Sequence, residues 1–410
     1  MSEWKKVKLG DICIIGDGAH ASLKRQKEGI LYITAKNLSE NGLVLSNADY
    51  ISHETYNQYF KDNSKALTKP RKNDILYSII GSIGGCYLIK DEVLGVSSSV
   101  AIFRCKDAIN PMYLFYYLKS DEFKNEIDAI KGGVAQGFMS LSKIGSVAVT
   151  LPPLSTQHRI ATILSRYDSL IENHQKQIKL LEEAAQRLYK EWFVDLRFSG
   201  HENTNIIDGV PDGWEKKTID DVTCKVTTGL NPRKNFVLGK GSNYYVTIKN
   251  MADNTLFLDD RCDRVDNEAL EKINKRSDLK IGDILFSGIG TIGRVALVDI
   301  PTNNWNVSES VFTLRANDIV TKEFLYLMLL SPDMQNYCQS NAHGAAQKGI
   351  RMADLKAYSF YLPPFGVIQK FTNLVTPTIK KVSSIRNQIR LLTEARDRLL
   401  PQLMSGRIVL

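Results

Sequence analysis

The chain repeats itself, and that repeat limits the fold more than any other feature. Trp4 through Asp11 matches Trp214 through Asp221, YITAKNL at 32–38 matches YVTIKNM at 245–251, and NDILYSIIGSIG at 73–84 matches GDILFSGIGTIG at 282–293. VSSSVAIFR at 96–104 then matches VSESVFTLR at 307–315, and YLFYYLKS at 113–120 matches FLYLMLLS at 324–331. GVAQ at 133–136 matches GAAQ at 344–347, and LPPL at 151–154 matches LPPF at 362–365. The offset stays between 209 and 213, and is 211 without a gap from residue 96 onward. This is a tandem duplication of one unit, a globular part followed by a long helix.

The helices carry a heptad seam. Ile160, Leu164, Tyr167, Ile171, His174, Ile178, Leu181, Ala185, Leu188 and Trp192 step alternately by four and three. Phe371, Val375, Thr378, Val382, Ile385, Ile389, Leu392, Arg396, Leu399 and Leu403 do the same, each 211 residues later (371 − 160, 403 − 192). That 3.5-residue period is a coiled-coil seam. The shared register predicts that each helix is the other's partner. Two unrelated amphipathic core helices would not require it. Helices of roughly 35–40 residues span about 50–60 Å. Packed antiparallel, they would hold two similar domains at opposite ends of a rigid spacer, related by a pseudo-twofold axis that matches a DNA duplex. Pro377 and Pro401 fall inside the second pattern and predict a kink or early fraying there.

Each globular part reads as mixed α and β. ILYIT (30–34), DILYSII (74–80), VAIFR (100–104) and VAVTL (147–151) are short β-branched and aromatic runs bounded by turn residues. NYYVTI, DILFSG, RVALVDI, VFTLR and SFYL are the strands expected in the second copy, and PMYLFYYLKSDEFKNEIDAI at 111–130 is expected to be helical. The fold class is therefore α+β: two similar mixed domains joined by two long antiparallel helices. The boundaries expected are 1–153 for the first domain, 154–198 for the central helix, 199–210 for a polar linker, 211–364 for the second domain and 365–410 for the C-terminal helix.

Chemistry is mostly missing. GIGTIG at 288–293 has the GxGxxG form, but RVALVDIP follows as a strand where a nucleotide site needs a helix, and the first copy has Ile79 in place of the first glycine. Glycines for a tight hairpin are the better reading. Leu151 and Leu362 stand where an adenine methyltransferase needs the Asp or Asn of its [DN]PP[FYW] motif, and no P-loop occurs. The six cysteines show no CxxC spacing and no histidine pair has ligand spacing, which predicts reduced thiols in a cytoplasm and no metal site. No apolar run reaches the ~20 residues of a membrane span, and the N-terminus lacks the apolar core of a signal peptide.

Binding is better supported. The net charge of +8 suits a nucleic-acid partner. Each copy has a Gly-containing basic loop, GDGAHASLKRQK (16–27) and TTGLNPRKNF (227–236). Lys24, Arg25, Arg233 and Lys234 are candidates for phosphate or guanine contacts. Lys36 and Lys249 follow the next strand in both copies, and Lys69, Arg71 and Lys72 form a further basic cluster. GGVAQGF (132–138) and GAAQKGIR (344–351) add Gln136, Gln347 and Lys348, the glutamines suited to adenine. Any one of these alone also fits a solvated surface loop.

The block GGVAQGFMSLSKIGSVAVTLPPLSTQHRI followed by a heptad helix resembles the specificity subunit of type I restriction–modification systems. LYKEWFVDLRF and LLPQLMSGRI are similar to that family's helix ends, and the resemblance covers essentially the whole chain. It departs at Gln136-Gly137 and Gln347-Lys348, where proline often follows the glutamine, and at Arg396, where the first helix has Ala185. The resemblance implies two target recognition domains, each reading half of a bipartite asymmetric site in double-stranded DNA. It implies two methylation subunits docked on this chain, with restriction subunits joining them. It places S-adenosylmethionine, ATP and Mg in those partners, with no cofactor here. Trp192, Phe193 and Leu403 at the helix ends are candidate docking residues, against the reading that they only close the internal coiled coil. A non-catalytic scaffold bracketing two protein partners is the alternative. Steep salt dependence of DNA binding distinguishes a DNA reader from it.

Overall fold

The computed structural model describes the 410 residues except 1–3, 41, 63–68, 132–137, 253, 345–347 and 409. It divides into two compact units, Met1–Asn173 with Gln388–Leu410, and His174–Asn387. Among the described residues no helix is long and apolar enough to cross a membrane.

In the first unit an antiparallel sheet runs in the order Cys13–Asp17, Val100–Cys105, Ile75–Ser78, Cys86–Leu88. Val100, Ala101, Ile102 and Phe103 are all wholly buried, as expected of a strand covered on both faces. Alternation sends them to two cores. Ala101 and Phe103 pack with Tyr113, Tyr117 and Phe123 of the helical layer. Val100 and Ile102 pack with Ile33, Leu94 and Val96. Those last residues belong to a three-stranded sheet with Ile30–Ile33 at its centre, antiparallel to Asp49–Ile51 and parallel to Leu94–Val96. Lys5–Lys8 pairs antiparallel with Ala148–Leu151 just before the central helix.

The second unit repeats this topology. Its four-stranded order is Thr223–Thr228, Val311–Ala316, Ile284–Ser287, Val295–Leu297, and its three-stranded order is Asp263–Val265, Asn243–Val246, Trp305–Val307. Glu215–Thr218 pairs with Ser359–Leu362. The glycine-rich segments are hairpin turns, as expected: Ile284–Ser287 pairs antiparallel with Val295–Leu297, and Gly290 and Gly293 adopt φ of 81° and 90°. Gly18 and Gly229 answer a different need. A Cβ on either would lie 1.9 Å and 1.6 Å from the carbonyl oxygens of Val96 and Val307, so the loop can cross the neighbouring strand only with glycine there.

Each unit also buries one ion pair. Arg104 grips Asp74 with Nε–Oδ1 at 2.9 Å and Nη2–Oδ2 at 2.6 Å. Arg315 grips Asp283 at 2.6 and 2.9 Å in the same way.

The expected helix at 111–130 is two, Pro111–Lys119 and Asp121–Lys131. Ser120 separates them in an extended conformation (ψ 154°), and its hydroxyl accepts from the Phe123 N–H. A capping serine ended one helix and began the next.

The long helices are Leu154–Phe193 and Phe365–Met404. Every seam position named above is buried or half-buried. In the first unit Ile160 and Leu164 share a core with Leu399, Leu403 and Met404. There Arg396, the polar seam residue, reaches Asp168 at 2.7 Å, and the Tyr116 hydroxyl donates to the same carboxylate at 2.6 Å. In the second unit Arg386 meets Glu182 at 2.6 Å, while Tyr189 and Trp192 pack on Phe371. Rising numbers on one helix meet falling numbers on the other, so the pairing within each unit is antiparallel. The early fraying expected at the prolines does not occur: the C-terminal helix is continuous through Pro377 and Pro401. Val375, Val382 and Ile385, exposed by 5% or less, hold it against its partner across the missing hydrogen bond at Pro377. Pro401 lies in the last turn, where the loss is small.

Candidate nucleic-acid interface

In the first unit the basic loop folds back over the three-stranded sheet. Gln26 and Tyr50 exchange backbone hydrogen bonds at 2.9 and 3.3 Å. The Arg25 guanidinium lies 3.9 Å from the centre of the Tyr32 ring, a cation–π contact. Lys24 is exposed and makes no side-chain hydrogen bond or ion pair among the described residues. Lys36 is the middle residue of a short 3-10 turn, Ala35–Asn37, and meets Asp49 at 3.1 Å. The turn exists because Asn37, 2% exposed, accepts from the Thr34 N–H.

The second unit copies that turn. Asn250, 1% exposed, accepts from the Thr247 N–H, and Lys249 meets Asp263 at 2.9 Å. Lysine and asparagine thus divide the work: the asparagine builds the turn and the lysine presents charge at the sheet edge. Both Lys–Asp pairs are at the surface, where such a pair contributes about 0–1 kcal/mol, so exchanging aspartate for phosphate costs little.

Arg233 and Lys234 are exposed and, among the described residues, their side chains have no hydrogen-bond or ion-pair partner. Their loop is braced from several sides. Asn231 Oδ1 accepts from the Arg233 N–H at 2.9 Å, and Asn231 Nδ2 donates to Glu309 at 2.9 Å. Lys272 reaches the Asn235 carbonyl at 2.9 Å, and Arg276 reaches Thr228 Oγ1 at 3.2 Å. The helix Asn267–Ser277 that supplies the last two is longer than its counterpart His53–Tyr59. Neither this helix nor Glu309 was singled out from sequence. The helix is polar and short, and Glu309 acts on a residue 78 positions away.

The cluster of Lys69, Arg71 and Lys72 is not a free basic patch. Lys69 meets Asp62 at 2.7 Å, Arg71 donates to the Asp62 carbonyl at 2.9 Å, and Lys72 meets Asp91 at 2.7 Å. Lys69 holds the Asp62 carboxyl below its usual range, chiefly through their hydrogen bond. The Lys69 carbonyl also accepts from Arg104, so this segment supports the buried Arg104–Asp74 pair.

Gln136 and Gln347 lie outside the described residues. Their flanks are described, and both join the glycine hairpin. Phe138 bridges Ile80, and Gly349 bridges Ile289. Lys348 is exposed, and its carbonyl accepts from the Gly290 N–H at 2.7 Å. Segments more than fifty residues apart in sequence therefore meet at one edge in each unit.

The three docking candidates turn inward. Trp192 is 7% exposed and Leu403 2%. Phe193 stacks edge-on against Phe324 and Phe371, with ring centres at 4.9 and 4.7 Å. Their side chains close the units' own cores.

One sheet framework is thus built twice in the chain, each time with a different basic loop. The family model of the type I restriction modification DNA specificity domain matches residues 1–183 and again 211–389. The specificity subunit of the type I restriction enzyme MjaIX of Methanocaldococcus jannaschii is 26% identical over 415 residues, covering 99% of this chain and 94% of that protein. The HindI specificity subunit of Haemophilus influenzae is 26% identical over 480 residues, covering 100% of both. The crystal structure of a type I restriction–modification S subunit from M. genitalium shares the fold, with a TM-score of 0.58 at 18% identity over 98% of this chain and 96% of that one. The chain belongs to the type I restriction–modification DNA specificity family, as a specificity subunit.

Proposed function

We propose that this chain reads DNA for a type I restriction–modification complex and performs no catalysis itself. Each globular domain reads one half of a bipartite asymmetric site. The long helices set the unread spacer and dock methylation subunits that methylate adenine. The partners bring S-adenosylmethionine, ATP and Mg, and the complex works in the cytoplasm. The observation that carries this reading is the preserved framework with unlike loops. The two buried Arg–Asp pairs and the two Asn-built turns repeat, whereas Arg25 stacked on Tyr32 has no match in the Asn231-braced turn of Arg233 and Lys234. Equal scaffolds with different tips suit two different half-sites. Trp192, Phe193 and Leu403 being committed inward, docking falls to exposed apolar side chains of the long helices such as Leu170, Leu180, Leu374 and Leu391.

A salt titration tests the DNA reading. Binding of the chain with its methylation subunit to duplex DNA should weaken steeply as salt rises, because each phosphate contact releases about one counterion. A flat response would favour the scaffold reading.

A further inference from the structure

The second unit's basic turn depends on a residue that the first unit lacks. Glu309 occupies the place of Ser98 (309 − 98 = 211) in the matched segments VSSSVAIFR and VSESVFTLR. Half-buried, it accepts from Asn231 Nδ2 at 2.9 Å on Oε1, and its Oε2 lies 3.1 Å from the Tyr245 hydroxyl, whose single proton it shares with the Leu230 carbonyl. Asn231 in turn builds the tip. Its Oδ1 accepts from the Arg233 N–H at 2.9 Å, and its carbonyl accepts from Asn235 Nδ2 at 2.7 Å. We propose that Glu309 is a positioning residue that fixes the Asn231 turn, and through Arg233 the half-site that the second unit reads. This rests on the DNA-reading function proposed above.

The partners differ in what they lose if the carboxylate goes. Tyr245 keeps the Leu230 carbonyl, which it already meets at 2.6 Å. Asn231 Nδ2 has no other hydrogen-bond partner among the described residues. A hydrogen bond to a carboxylate is about twice as strong as one between neutral groups, so the effect of removal falls on the turn and spares the sheet. Side chains that read bases must be held closely to discriminate.

The test maps adenine methylation in cells carrying the methylation subunit and either the wild-type chain or a variant. Glu309→Ser installs the first unit's residue. It should lower discrimination at one or more positions of a single half-site by about tenfold, the scale of one good base contact, and leave the other half-site and the spacer intact. Glu309→Gln keeps an acceptor for Asn231 and should retain the wild-type motif. Asn231→Ala should reproduce the Glu309→Ser change, and the double variant should add nothing to it. An unchanged motif in both Glu309→Ser and Asn231→Ala, or equal decline of both half-sites, overturns the assignment. A wild-type chain that yields no two-part motif overturns the DNA-reading function instead, so the two failures are distinguishable.

Discussion

Asp74 and Asp283 are 2% and 1% exposed, and in each an arginine clasps both carboxylate oxygens while a backbone N–H, from Arg71 or Lys280, supplies a third bond. Removing Asp283 takes away the main partner of a half-buried arginine, which keeps the Asp278 carbonyl at 2.7 Å, and leaves the Lys280 N–H without its acceptor. Asp283→Ala should therefore cost about 1–3 kcal/mol, read from urea unfolding; no measurable loss would show that the Asp283 carboxylate is not withdrawn from water as described. At the surface the expectation reverses. Lys24→Ala and Lys234→Ala should leave stability within about 0.5 kcal/mol. Each should weaken DNA binding evenly across sequences and reduce the salt slope by about 1. A changed recognition motif in either variant would make that lysine a base reader. Which residues were legible follows the same division. Lys36 and Lys249 stood out because the KN pair repeats, but their pairing with Asp49 and Asp263 needs strand register, which only the folded sheet supplies.

Among the elements, the buried strands were the easiest to read. VAIF is a continuous apolar run and VFTL is broken only by the buried Thr313, because both faces of each strand are covered by separate cores. Cys13–Asp17 and Thr223–Thr228 escaped, since edge strands need less apolar sequence. Trp305–Val307 is only three residues long and follows polar TNN, so no period marks it. The heptad register was legible, and the pairing within each unit follows it. Early fraying was expected at the prolines because propensity was read without packing. Pro377→Ala restores a donor for the Asn373 carbonyl and should raise the urea midpoint, by up to about 3 kcal/mol in stability; a lower midpoint would mean that the proline fits the packing better than a regular helix does. A matched heptad inserted in both long helices should lengthen the unread spacer by about 3 base pairs (about 10 Å of helix) and leave both half-sites unchanged. An unaltered spacer would remove the helices from that role.

At the scale of the molecule, the duplication is what the proposed reading of two half-sites by one chain rests on. The parts that repeat most faithfully, the Asp–Arg pairs, the glycine hairpins and the Asn turns, are those that the framework needs. The parts that diverge, residues 16–27 against 227–236 and Ser98 against Glu309, are those that the framework leaves free. The resemblance in sequence pointed to the right family because it rests on the framework. The contacts proposed to choose a base sit in loops whose shape depends on distant partners, as Asn231 depends on Glu309, and these no local pattern reveals. The central claim is that two domains of one chain read two half-sites. Its most direct test is a genome-wide map of adenine methylation in cells expressing the cognate methylation subunit with the wild-type chain, with a chain whose residues 1–153 come from a relative, and with no chain. The account predicts a gapped two-part motif that depends on the chain, methylated on opposite strands, with only one half changed by the exchange. A motif that changes in both halves, or no motif although the methylation subunit is folded and bound, would contradict it.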